Sequence, residues 1–152
     1  MRPFPRTEPR TPRGLALPVV VLLAVLATGV APAGAATTGE KAVHAMINEA
    51  RAHAGVRLLP LSERLSRIAH RHSKKMASRG KLYHSCLTCA IGGDWRKLGE
   101  NVGYGPSRDS VQDQLMASPP HRDNILHPKF RRVGVGVVRQ GGLVWVTQIF
   151  FA

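Results

Sequence analysis

The chain has 152 residues, with 22 Lys and Arg against 9 Asp and Glu, and a formal net charge of +13. That length holds one domain at most. The charge suits an anionic polymer, a lipid surface or nucleic acid, but no RNP-like aromatic pattern and no helix-turn-helix signal accompanies it, so no specific nucleic-acid partner is expected.

Residues 1–14 carry Arg2, Arg6, Arg10 and Arg13 against the single acid Glu8, and "LALPVVVLLAVLATGV" then runs apolar from Leu15 to Val30. "APAGAA" follows, with Ala33 and Ala35 at the spacing a signal peptidase reads. Basic, apolar, small is the order of a secretory signal. The rival is a permanent anchor, but the run has 16 residues and contains Pro18, whereas a bilayer span needs roughly 20. Without an adjacent Arg-Arg pair, ordinary export is favoured over the twin-arginine route. We therefore expect residues 1–35 to be removed, leaving a single domain over 36–152 with no transmembrane segment, secreted or associated with the cell envelope.

Taking away the four arginines and one acid of that leader leaves 18 basic and 8 acidic residues among 117, a net of +10. An anionic cell-wall polymer or lipid headgroups are the partners such a charge suits. A solvated basic surface accounts for it equally.

"TTGEKAVHAMINEARAHAG" reads as a helix: Thr37 and Glu40 make a capping box, Val43, Met46, Ile47, Ala50 and Ala54 mark an apolar face, and Gly55 stops it. "VRLLPLS" connects to a second helix over about 63–79, capped by Ser62 and ended by Gly80. It buries Leu65, Ile68, Ala69, His72 and Met76, while Arg64, Arg67, Arg71 and Lys74 project from another face. No period holds from 81 to 106, which predicts an ordered irregular loop of the kind that carries function. Ser107 caps a short helix through Val111 and Leu115, and "SPPHRDNIL" restarts a helical turn with Ser118 as cap and Pro119 at its first position. "RRVGVGVV" and "LVWVTQIFF" flank "RQGG" as a β-hairpin. Helices first and strands last indicate an α+β layered domain.

Chemistry-bearing residues concentrate in four places. His84 lies in "LYHS", Cys86 and Cys89 in "CLTC", Glu100 in "LGENVGYG" and His121 in "SPPHRDNIL". His44, His53, His70 and His127 read as surface or loop residues, and His72 as a packed core-edge imidazole. An even cysteine count in an exported chain favours a Cys86–Cys89 disulfide that stiffens the turn after His84. The alternative is a zinc site using His84 and both thiolates, with no obvious fourth ligand. Two imidazoles and a carboxylate, His84, His121 and Glu100, form a sensible set for a divalent cation such as zinc with an open position. They equally suit a general acid/base site, or hydrogen bonds that pin three loops together. Ser85 neighbours His84, but adjacent side chains in an extended loop point apart, so no nucleophile–base pair is expected.

"HS", "LGENVGYG", "SPPHRDNILHPKFRRVGVGVV" and "VWVTQIFF", in that order, resemble the CAP superfamily (cysteine-rich secretory proteins, antigen 5, pathogenesis-related 1), and among these the short secreted bacterial branch. The resemblance covers about residues 40–152. It implies a three-layer α-β-α sandwich with a central antiparallel sheet. That requires strands beyond the hairpin, and "NVGYG" is the candidate. It also implies a cleft lined by two histidines and two acids that in several members binds a divalent ion. By motif, His84 matches the first histidine, Glu100 the "GEN" acid and His121 the second histidine. The second acid does not carry over, because Ser118 stands in its place and Leu115 in that of a tryptophan preceding it. Asp109, Asp113 and Asp123 lie nearby, and spacing selects none of them.

The family has no single activity, so fold does not settle function. Three readings remain. The chain is a non-catalytic binding or interaction module whose cleft takes a cation or a small lipid-like ligand. Alternatively it is a metal-assisted hydrolase with Glu100 as base beside His84 and His121, or a basic protein adhering to the cell envelope.

Overall fold

The computed structural model describes residues 36–152, and the secretory leader assigned to residues 1–35 lies outside them. Eight elements follow one another: α1 (Thr38–His53), α2 (Glu63–Arg79), α3 (Leu87–Ile91), β1 (Leu98–Gly105), α4 (Arg108–Ala117), α5 (Pro119–Leu126), β2 (Arg132–Gln140) and β3 (Leu143–Phe151). Among the described residues no helix is long and apolar enough to cross a membrane.

Local chemistry accounts for the helix boundaries. At α1 the Thr37 hydroxyl accepts from the Glu40 N–H while the Glu40 carboxylate accepts from the Thr37 N–H, the reciprocal capping box. Ser62 caps α2, and Gly80 closes it in the left-handed conformation at φ 58°. Ser107 caps α4 through the Ser110 N–H. Residues 81–106, expected to be irregular, contain both α3 and β1.

The three strands form an antiparallel sheet in the order β1-β3-β2. β2 and β3 make the expected hairpin, turning through Gly141 and Gly142 at φ 61° and 75°, the two positive values a tight primed turn demands. β1 pairs along the other side of β3, with Glu100 opposite Ile149. The sheet is covered on both faces. Val43 and Ile47 of α1, Val111 and Leu115 of α4 and Ile125 of α5 pack against Val133, Val135, Val144, Val146 and Phe150. On the opposite face α2 supplies Leu65, Ile68 and Ala69 against Ile149, and Met76 and Ala77 against Val102 and Trp145. This is the three-layer arrangement, with side-chain alternation along β3 dividing its residues between the layers.

Two glycines of β2 set how near α2 comes. A Cβ at Gly134 would lie 2.3 Å from the Leu65 carbonyl carbon, and one at Gly136 2.2 Å from the Ala69 carbonyl carbon and the His70 nitrogen. Helix backbone thus rests on strand backbone, and hydroxyls seal the contact: Ser66 Oγ accepts from Val135 N–H at 3.1 Å, and Ser73 Oγ donates to the Gly136 carbonyl at 3.0 Å. Gly136→Ala should lower the unfolding free energy by about 3 kcal/mol or more, since neither backbone can yield. Gly39→Ala meets Val137 at an ordinary 3.4 Å and should be neutral or stabilising by up to ~1 kcal/mol. Urea unfolding of both variants checks this. Equal midpoints would show that α2 does not rest on the strand.

Candidate functional site

β1 is an edge strand, and the candidate residues gather along its unpaired side. Its alternation sends Leu98 and Val102 into the α2 layer, so Glu100, between them, points the same way. The carboxylate is almost wholly buried, with a side-chain exposure of 3% against 61% for His84. Three donors from one loop satisfy it. Oε1 accepts from the Ser85 N–H at 2.8 Å and from His84 Nδ1 at 2.9 Å, and Oε2 accepts from the Ser85 hydroxyl at 2.5 Å. An ionised carboxylate only accepts, so the proton of the neutral His84 ring sits on Nδ1 and Nε2 keeps its lone pair. Ser85 is tied to Glu100 and not to His84, although the two neighbouring side chains converge on the one carboxylate instead of pointing apart as expected.

His121 comes from the opposite layer, in the first turn of α5. Its Nδ1 meets the Ser118 hydroxyl at 2.8 Å. Ser118 therefore occupies the N-cap position of α5 without a side-chain capping bond, which corrects the expectation that its hydroxyl caps the helix. Each imidazole thus has a partner at Nδ1, a carboxylate for His84 and a hydroxyl for His121. No nearby acid takes the missing position. Asp109 and Asp113 line a separate groove against Met46, Glu49 and His53 of α1, and the charge of Asp123 acts on His127. Among the described residues no three His, Cys, Asp or Glu side chains stand close enough together to hold a metal ion.

Behind Glu100 runs a buried polar chain that sequence reasoning passed over. Asn101 Nδ2 donates to the His121 carbonyl at 3.0 Å and to Gln148 Oε1 at 3.1 Å. Asn124 Nδ2 donates to Asn101 Oδ1 at 3.0 Å, and Gln148 Nε2 donates to Gln112 Oε1 at 2.8 Å. β1, β3, α4 and α5 are locked to one another by these amides. The available signal was Gln148 itself, which with Thr147 is polar in the largely apolar run "VWVTQIFF".

A groove of about 500 Å³ wraps the free edge of β1. Leu82, Val102 and Leu143 line one side, and Val111 and Leu115 the other, with Ser118 and His121 at its polar end. Tyr104, 46% exposed, stacks on Trp145 with ring centroids 4.9 Å apart and stiffens the wall. Cys86 and Cys89 form the expected disulfide, so neither thiolate is available to a metal. His72 is buried and holds the Tyr83 carbonyl through Nε2 at 2.7 Å.

Burial, and after it the charge of His84, pushes the His121 imidazole below its ordinary value of 6.5. Below that pH the unfolded chain takes up a proton that native His121 resists, so this residue's contribution to stability declines as pH falls through 6.5 towards the lowered native value. An NMR titration should give His121 a midpoint below 6.5, and His84→Ala should restore only part of the depression because burial is the larger cause. Full restoration would make His84 the dominant influence. Asn101→Asp removes two donated bonds and should cost about 2–3 kcal/mol. Thermal unfolding of that variant measures it.

The model of the cysteine-rich secretory protein family, CAP, matches residues 44–150. The chain is 31% identical over 118 residues to the uncharacterized protein YkwD of Bacillus subtilis, a match that takes in 72% of this chain and 46% of the relative. A crystal structure of an extracellular protein containing an SCP domain from Bacillus anthracis superposes with a TM-score of 0.64 at 24% identity, over 74% of this chain and 40% of that one. A cysteine-rich secretory protein from Staphylococcus aureus gives 0.65 at 21% identity, over 74% and 38%. This chain spans about half the length of the curated relative it matches. The family match covers most of the chain and includes Glu100, His121 and the hairpin: the chain belongs to the cysteine-rich secretory protein (CAP) family.

Proposed function

We propose that this protein is an extracellular binding module that takes a small, largely apolar ligand along the free edge of β1, with His121 and Ser118 meeting the ligand's polar end and His84 near enough for its charge to act on His121, and that it performs no turnover. The observation that carries this is the apolar groove ending at His121 and Ser118. Its volume falls in the range of small-molecule sites, and a few converging polar groups in an apolar lining are the usual pattern of such sites. Placement outside the cell is supported by the export-type sequence of residues 1–35 and the disulfide. It also agrees with the extracellular Bacillus anthracis relative.

Glu100 is poorly suited to act as a base. It is buried and already accepts from the Ser85 N–H, the Ser85 hydroxyl and His84, so a water or substrate proton has no ready access to it. Ser85 is poorly suited as a nucleophile, because its hydroxyl is directed at that same carboxylate and not at an imidazole. What Glu100 does supply is orientation, since a carboxylate on Nδ1 fixes the ring and raises the basicity of Nε2.

That arrangement also suits a labile divalent cation. His84 and His121 would be its protein donors, with water completing the shell and Glu100 acting behind His84. Two imidazoles fall short of the three or four protein ligands of a catalytic or structural zinc site. A bound ion would polarise an oxygen of the ligand's head group.

Titration with a fluorescent fatty acid tests the groove. Leu82→Glu or Leu143→Glu places a charge in it and should weaken binding by about tenfold or more, some 1.4 kcal/mol. Leu58→Glu alters an exposed leucine outside the groove and should change nothing. Equal losses in all three would mean that the dye binds elsewhere. Calorimetry with zinc should give weak heat that disappears in His84→Ala/His121→Ala, whereas the same heat in both proteins would remove the cation from the account.

A further inference from the structure

A second groove, of about 930 Å³, lies at the end of the sheet where β1 and β2 begin and β3 finishes. The β3 end forms its floor. Arg96 and Lys97 N–H donate to the Ala152 carbonyl at 2.5 and 3.0 Å, and Arg131 N–H donates to the Phe151 carbonyl at 2.8 Å. Residues 94–97 and 127–131 thereby stand as two walls fixed to one strand. Four cationic side chains line them, Arg96, Lys97, Lys129 and Arg131, against one acidic side chain, Asp94, with Ala152 between the walls. Among the described residues none of these cations is ion-paired with a carboxylate.

One of the four, Arg131, is held in place by hydrogen bonds. Arg131 Nη1 donates to the carbonyls of Pro128 and Phe130 at 3.0 and 3.3 Å, which fixes the guanidinium and leaves its other donors free. The Lys97 ammonium lies 6.0 Å from the Phe130 ring centroid, a loose cation–π contact. Behind the wall the buried Arg51 adds a further charge. It donates to the Ile125 and His127 carbonyls at 2.7 and 3.1 Å, and its Nη2 has no partner. The positive field registers on His127, whose ring is pushed down first by burial and then by Lys97, Lys129 and Arg51, with Asp123 opposing. The Lys129 N–H donates to His127 Nδ1 at 3.1 Å, so the neutral ring keeps its own proton on Nε2 as a donor. Trp95, 41% exposed, supplies the aromatic surface of this groove.

We propose that this groove binds an acidic polysaccharide, with Trp95 stacking on a sugar ring, Lys97, Lys129 and Arg131 meeting the acidic groups, and Asp94 accepting from hydroxyls. The single exposed tryptophan decides against nucleic acid, because successive bases ask for more than one stacking surface. An open groove walled by separate cations suits acidic groups spaced along a polymer better than one compact anion. The site is separate from the β1 edge and gives the chain's basic character a particular location.

Fluorescence anisotropy with labelled oligogalacturonate, a sugar polymer carrying carboxylates, tests this. Lys97→Glu/Lys129→Glu should weaken binding about tenfold or more at physiological salt, and Trp95→Ala several-fold. Lys74→Glu/Lys75→Glu makes the same charge change on α2 and should have less than about a twofold effect. His84→Ala/His121→Ala should bind like the parent protein. Neutral galactan should not bind, and poly(glycerol phosphate), acidic but without a ring to stack, should bind weakly and be indifferent to Trp95→Ala. Equal losses from the α2 reversal would reduce the groove to unspecific charge, and an unchanged Trp95→Ala would remove the sugar-stacking role. Tighter binding of single-stranded DNA with the same sensitivity to Lys97→Glu/Lys129→Glu would make this a nucleic-acid surface and overturn the proposal.

Discussion

The arrangement of the site depends on one buried carboxylate. Glu100 lies on an edge strand beneath the loop that carries His84, and that loop supplies all three of its hydrogen bonds. A buried carboxylate without partners would be strongly unfavourable, so the loop and strand are held together as a unit. Removing either side leaves the other with an unmet group, a larger loss than the net gain of any one bond. The position of His84, and the freedom of its outward nitrogen, follow from this constraint.

From that contact the rest of the cleft can be built outward. Asn101, the next residue, points to the opposite face of β1 and holds α5 through the His121 carbonyl, so consecutive residues of one strand fix the two histidines from two layers. The amide chain through Gln148 and Gln112 carries the same constraint into β3 and α4. Across the sheet, the bare backbone of Gly134 and Gly136 lets α2 lie close enough to cover Glu100's side. The site is therefore a seam between layers at the sheet's open edge, which explains how an apolar groove comes to end at His121.

How much of this the sequence made legible follows the range of each interaction. The capping box of Thr37 and Glu40, the caps at Ser62 and Ser107, the Gly80 stop, the Gly141–Gly142 turn and the Cys86–Cys89 pairing all act within a few residues, and all are readable by rule. β1 was not legible from local signals, because Gly99, Gly103 and Gly105 dilute its β-propensity. Gly99 and Gly103 are accounted for only once Phe130 and Val111 are seen less than 3 Å from where a Cβ would stand. Ser118 illustrates the opposite error. Local rules make it a cap, but His121 one turn on takes its hydroxyl. Arg51 was invisible for a similar reason, as two of the three carbonyls that satisfy this cation in the core come from 74 and 76 residues away. The family resemblance supplied the histidine and acid pairing that spacing alone left open.

The central claim is that Glu100 orients His84 and neither ligates nor abstracts protons. Its most direct measurement is the tautomer of the His84 ring, read from long-range ¹⁵N–¹H correlations at a pH where the ring is neutral. The account predicts a proton on Nδ1 and a free Nε2 in the parent protein, with that preference lost in Glu100→Ala while His121 keeps its lowered titration. A proton on Nε2 in the parent protein, or an unchanged tautomer in Glu100→Ala, would contradict it.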